Sequence, residues 1–285
     1  MAEMLIDGAK LDACNTAEAD AIRAKTGGSS PIPYDYANNK GFADAIAAIP
    51  SGTTITDGIV VKARNASGYA TEIDYYKDDG IIYSYQFPGE NTSPWRDLTT
   101  INIAPNTIAL NGSGIFRYSK ISQATATALY EKVTEIIGDG NAMFMGVASV
   151  TEAVLPNCTH ILSNQLFRGC TNLQILRLPV CATVKSGTNA DGVVPQLSNL
   201  TELTVGSVGH PYMYTSNGHF LYQTNNTNLI ATFFIGSGQN ADAVLSRERA
   251  GSTTATIVIK AANALEYNGT SYAAGDTILT SEVTA

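Results

Sequence analysis

Charge is scarce in this chain. Only 15% of its 285 residues are Asp, Glu, Lys or Arg, against ~25% in an average soluble protein. Basic residues are the scarcer sign: 17 Lys and Arg face 25 Asp and Glu, for a net charge of −8. A nucleic-acid binder needs clustered cations to displace counterions from phosphate, so nucleic acid and anionic membrane are not expected partners. Long apolar runs are also missing. The most apolar stretch, Phe42 to Pro50, is interrupted by Asp44 and reaches about half of the ~20 residues a membrane span requires. No membrane insertion is expected. The opening residues, Met1 to Gly8, show neither a basic n-region nor an apolar h-region, so the expected route of any export is one without a signal peptide.

Motifs for chemistry are equally absent. The four cysteines, Cys14, Cys158, Cys170 and Cys181, match no CxxC zinc or redox spacing. They read as buried small hydrophobes, and a disulfide between two of the last three stays open. The three histidines, His160, His210 and His219, form neither H-x-x-x-H nor H-E-x-x-H. No metal is expected. The carboxylate pairs Asp78-Asp79 and Glu72/Asp74 lie in or beside a turn, where acids are solvated. A glycosidase needs two carboxyls facing each other across ~5–9 Å in a cleft. There is no Gly-x-Ser-x-Gly elbow and no phosphate loop. The expectation is a protein that is not an enzyme and uses no cofactor.

What the chain does contain is pattern. Residues 1–52 read as a helical segment. Ala13, Ala17, Ala21 and Ala24 fall at helical spacing before Gly27-Gly28-Ser29-Ser30-Pro31, and Phe42, Ala45, Ile46 and Ile49 mark a second short helix. Two such helices bury little by themselves and must dock on something else. Residues 53–95 read as a small antiparallel β unit, with Ile59–Ala63, Glu72–Tyr76 and Ile81–Tyr85 as strands and Asp79-Gly80 as a hairpin turn.

From residue 96 to 260 an internal repeat appears, with apolar residues at positions 1, 4 and 6. Its copies are Leu98-Ile101-Ile103, Val150-Ala153-Leu155, Leu173-Leu176-Leu178, Leu200-Leu203-Val205, Leu229-Thr232-Phe234 and a weaker Thr253-Thr256-Val258. Phe144-x-Gly146 precedes one copy and Phe167-x-Gly169-Cys170-Thr171-Asn172 precedes the next. Most intervals lie in the twenties, the period at which a coil returns to stack on its neighbour and share one core. The long first gap holds a predicted helix over 122–137, with Leu129, Val133, Ile136 and Ile137 as its stripe, replacing the return leg of one coil. Residues 261–285, with a turn at Asn268-Gly269, are expected to cap the last coil as a β-hairpin. The fold class is therefore an α/β repeat: a short, irregular leucine-rich-repeat-like solenoid, preceded by a helical N-terminal segment and a small β unit.

Phe167-Arg-Gly-Cys-Thr-Asn-Leu-Gln-Ile-Leu-Arg-Leu-Pro179 resembles the repeat of BspA-type leucine-rich proteins of bacteria, and Leu98 to Ile108 resembles its strand-to-turn part. The likeness covers roughly residues 98–235. Val150 and Val205-Gly206 depart from its pattern. A second resemblance lies at the N-terminus. Ala19 to Gly27, Pro31-Ile-Pro33 and Gly41 to Ile49 look like a segment found in tail-associated and other structural proteins of bacteriophages and prophages.

Together these resemblances imply a virion protein of tail, baseplate, fibre or head. It would attach to other virion proteins through its N-terminal segment, form a homo-oligomer, and display a binding face to a host surface glycan or protein. The alternatives are a BspA-like adhesin on a bacterial cell surface and a tail-spike polysaccharide depolymerase. Exposed aromatics are the natural contacts for such a face, because they offer flat apolar area with a polar tip. Tyr83, Trp95, Tyr212 and Tyr214 are the candidate binding residues.

Overall fold

The structure, a computed structural model, describes residues 55–56, 58–77, 79–87, 94–137, 143–163, 165–184, 193–195, 197–213, 220–224 and 226–281. The chain divides into two units, Met1–Ile55 and Thr56–Ala285. The helices expected within 1–52 lie outside the described residues, which fall almost wholly in the second unit. Among them, no helix is long and apolar enough to cross a membrane.

The protein is mostly β. In chain order its elements are β1 (Ile55–Thr56), β2 (Ile59–Arg64), β3 (Ala70–Tyr75), β4 (Ile81–Tyr83), β5 (Thr100–Ile103), β6 (Ile108–Asn111), α1 (Gln123–Tyr130), β7 (Val133–Ile137), β8 (Glu152–Val154) and β9 (His160–Ile161). There follow β10 (Ile175–Leu178), β11 (Thr183–Val184), β12 (Val194–Pro195), β13 (Glu202–Val205), β14 (Leu221–Tyr222), β15 (Ile230–Ile235), α2 (Ala241–Gly251), β16 (Thr256–Ala261), β17 (Leu265–Tyr267), β18 (Thr270–Tyr272) and β19 (Thr277–Ser281).

These elements stack as a solenoid. Most coils give one strand to a front wall and one to a second sheet, and β12 and β14 form a separate pair. The front wall runs β2-β3-β5 and then, beyond α1, β8-β10-β13-β15-β16-β19. The second sheet is β4-β6-β7-β9-β11, all parallel. Registers are in phase: Leu176 lies opposite Leu203, and Leu178 opposite Val205. Alternation sends Leu176 and Leu178 inward and Ile175 and Arg177 outward. A phenylalanine from the third leg of successive coils fills the middle. Phe87, Phe116, Phe144 and Phe167 form a continuous ladder with ring centroids 4.9–6.0 Å apart.

Three sequence expectations change here. First, the β unit over 53–95 does not stand apart from the repeat. β3 pairs in parallel with β5 and β4 with β6. Ala70, Ile73 and Tyr75 are fully buried at the 1-4-6 spacing, so the first coil begins in that unit.

Second, the helix over 122–137 stops at Tyr130, and Val133–Ile137 is a strand of the second sheet. A register shift opposite Ile108/Ala109 places the two inward residues, Val133 and Ile136, three apart. A bulge inserts one residue, and the resulting spacing imitates a helix. The β-branched content of Val-Thr-Glu-Ile-Ile favours the strand. The helix that remains replaces the front strand of its coil, not the return leg. α1 starts at Ser122, whose Oγ accepts from Thr125 N–H at 3.1 Å. Gln123 then serves the edge of β8 as a strand would. Its Nε2 donates to Glu152 O at 2.8 Å, and its Oε1 accepts from Thr151 N–H at 2.8 Å.

Third, the last two copies of the repeat are one residue out of phase. Ala231 and Phe233 point inward, as do Ile257 and Ile259, while Thr232, Phe234, Thr256 and Val258 face outward. A strand has period two, so a one-residue slip exchanges its faces.

The strands at the two ends of the front wall depart from the parallel pattern. β2 lies antiparallel on β3, and β19 antiparallel on β16. β17 and β18 form a hairpin through Asn268 and Gly269, both at positive φ, as a type I′ turn requires. The outer edge of β4 is satisfied by side chains. Asp79 Oδ1 accepts from Ile81 N–H (3.0 Å), Tyr75 Oη donates to Ile81 O (2.7 Å), and Gln86 Oε1 accepts from Tyr83 N–H (2.8 Å).

Candidate functional site

The β3–β4 turn and the residues after β4 bring two tyrosines together at the surface. Tyr83 is an outward residue of β4, since Ile82 between its neighbours is buried. Tyr85 follows and is 64% exposed. The two rings stack, with centroids 5.4 Å apart and planes 21° from parallel. Lys77 fixes this pair. Its Nζ lies 4.5 Å from the Tyr83 ring centroid, donates to Tyr85 Oη at 3.3 Å, and pairs with Asp79 at 3.3 Å.

Asp79 also lines a polar pocket of about 360 Å³, together with Tyr76, Gly80, Ala104, Pro105, Asn106 and Thr107. Gly80 turns the chain there at φ +64. Tyr76 Oη donates to Asp74 at 2.9 Å. Burial, and then this carboxylate, raise the Tyr76 pKa above the usual phenol value. A flat ring pair with a polar rim, beside a pocket of hydroxyl, amide and carboxylate groups, suits a ligand with one apolar face and many hydroxyls.

The four sequence candidates fare differently. Tyr83 belongs to the site. Trp95 is half-buried and packs against the core, its ring 5.4 Å from Phe87 at the end of the phenylalanine ladder. Tyr212 is fully buried, edge-on to Phe220 at 5.5 Å and tilted against Phe233. It is a core residue and no ligand contact. Tyr214 lies outside the described residues. Tyr85, Lys77, Asn106 and Thr107 were not singled out by sequence. In Ile-Ile-Tyr-Ser-Tyr, alternation puts both tyrosines on the outward side of Ile82, and that was the available signal.

Glu72 and Asp74 both accept from Asn102 Nδ2, at 3.3 and 2.8 Å. Asp74 also meets Lys62 Nζ at 3.4 Å. Asp78 lies outside the described residues. His160 Nδ1 is 2.8 Å from Thr159 Oγ1. Among the described residues no three His, Cys, Asp or Glu side chains converge as a metal site. Cys158, Cys170 and Cys181 are buried free thiols.

Comparison with protein-family models, curated proteins and solved structures returns no match to this chain.

Proposed function

We propose that this protein is a non-enzymatic binding component that captures a host-surface saccharide on the Tyr83–Tyr85 platform and its adjoining pocket. The observation that carries this reading is the exposed Tyr85 ring stacked on half-buried Tyr83 and held by Lys77 beside a polar cavity. Stacking uses the apolar face of a sugar ring, and the pocket's Asp79, Asn106 and Thr107 exchange hydrogen bonds with its hydroxyls. A rigid coil supports the role because little ordering entropy is lost at capture.

In this reading the solenoid is a decorated leucine-rich repeat of the BspA type, supported by its inward Leu-x-x-Leu-x-Leu rungs and its Phe-x-Gly legs. The N-terminal segment resembles phage and prophage structural proteins, which supports assignment to a virion as a host-attachment protein. That segment would mediate contact with other virion proteins and homo-oligomerisation.

The test is calorimetric titration of the full chain with saccharides released from the host surface. Wild type binds, and Tyr85→Ala weakens binding about tenfold without lowering the melting temperature, because Tyr85 is exposed. Equal affinity of the variant, or no saccharide binding by wild type, ends the proposal.

A further inference from the structure

Cys158 and Cys181 occupy the same place in successive coils. Each closes a Leu-Pro-x-Cys turn, Leu155 to Cys158 and Leu178 to Cys181. Cys158 N–H donates back to Leu155 O at 3.4 Å, and Cys181 N–H to Leu178 O at 3.2 Å. Each thiol then makes the same onward contact, Cys158 Sγ to His160 O and Cys181 Sγ to Thr183 O, both at 3.6 Å.

The segments on either side are hydrogen-bonded in register. Leu155 N–H meets Arg177 O at 3.0 Å, Ala182 N–H meets Thr159 O at 2.8 Å, and Thr183 lies opposite His160. The two cysteines are therefore superposed along the stack, one ladder spacing apart. That spacing is about 4.8 Å, inside the Cα separation of roughly 4.4–6.8 Å that a disulfide bridges. Both side chains are fully buried in the same core. A charge on Cys158 raises the pKa of Cys181, as expected of neighbours. Cys170 is committed elsewhere, its Sγ donating to Phe144 O at 3.0 Å.

We propose that Cys158 and Cys181 form a redox site, a dithiol between coils that a disulfide oxidant such as oxidised glutathione closes to an intramolecular cystine. One thiolate attacks the oxidant, forming a mixed disulfide and expelling one reduced thiol. The second thiolate displaces the other half. The protein loses two electrons and two protons, and two molecules of reduced glutathione carry them away. Burial pushes the Cys158 thiol up to about 12 and Cys181 higher still, so attack requires the coil to open. The bridge forms during folding or local opening in an oxidising medium, and the thiols stay inert inside a reducing one. Once made, it closes a loop of about 23 residues and staples two rungs together.

The experiment uses the full chain, folded from urea with oxidised glutathione and in parallel kept native with the same oxidant. Remaining thiols are alkylated, and the protein is digested and mapped by mass spectrometry. The expected product is about 2 Da lighter than the reduced chain, with Cys158 joined to Cys181 and with Cys14 and Cys170 alkylated. It forms faster through urea than in the native state and melts several degrees higher than the reduced form. Cys158→Ser and Cys181→Ser each abolish the lighter species. Recovery of both cysteines as alkylated thiols, as separate glutathione adducts, or in bridges to Cys14 or Cys170 would overturn the proposal.

Discussion

Gly146 and Gly169 share one backbone conformation, with φ +74 and +73, and differ in what lies beside them. A Cβ on Gly169 would find its nearest neighbour, an atom of Gly146, at 3.7 Å. A Cβ on Gly146 would enter the ring of Tyr118, which occupies the equivalent position one coil earlier and itself adopts φ 59. Gly169→Ala therefore meets only the left-handed backbone penalty, about 1–2 kcal/mol. Gly146→Ala adds a steric collision and should lose on the order of 3 kcal/mol. Urea denaturation of the two variants tests this, with the larger drop in midpoint expected for Gly146→Ala.

The recurring asparagines work at the same scale. Asn157, Asn172 and Asn199 each donate through Nδ2 to a carbonyl of the preceding coil, on Glu131, Ala148 and Thr171, at 2.6–2.7 Å. An Asn-Leu pair marks two of them in sequence, Asn172-Leu173 and Asn199-Leu200. Their use as stitches between coils depends on the stacking and cannot be read from one strand.

Helix α2 is joined to β14 by a single buried carboxylate. Glu248 is wholly inaccessible and accepts from Phe220 N–H at 3.1 Å and from Leu221 N–H at 3.0 Å. Gly251 permits the close approach, since a Cβ there would collide with Leu221 O. Burial raises the Glu248 pKa from 4.5 to about 7, against the opposing effect of the two N–H groups and Arg247. The folded state therefore holds this proton over a range where the unfolded chain has lost it. The group's contribution is full below about 4.5 and is lost as pH rises through 7, on the order of 3 kcal/mol in all. Glu248→Gln should flatten that slope between pH 4.5 and 7, read as the difference between wild-type and variant stability curves.

Elements were legible where the pattern was local. The rungs at Val150, Leu173 and Leu200 keep the 1-4-6 spacing. β15 and β16 break it by one residue, and no local signal marks the slip, since Ala231 and Thr232 differ little in apolar character. The bulge in β7 produced helical spacing from a strand. Tyr212 and Trp95 show the same limit at the site: an aromatic beside a loop reads alike whether its ring turns to solvent or to Phe233 and Phe87. Which way it turns depends on residues distant in sequence.

For the whole molecule, the strand that covers the last coil matters most. β19 runs antiparallel on β16 and covers its outer edge, and the hairpin of β17 and β18 follows directly on β16. An unpaired edge is a template for another chain. Removing residues after Ala262 leaves the outer edge of β16 bare along Ile257, Ile259 and Ala261, whose side chains are buried in the intact protein. The truncated chain should self-associate with rising concentration, seen by light scattering, more strongly than the full chain, in which β19 covers this edge.

The place where α1 interrupts the front wall has a mechanical consequence. Everywhere else on that wall neighbouring coils are held by runs of backbone hydrogen bonds, but across this seam the helix meets β8 through the amide of Gln123. A load applied along the stacking axis would there be borne by the second sheet, where β7 and β9 stay hydrogen-bonded, with the front wall contributing a side chain in place of a strand.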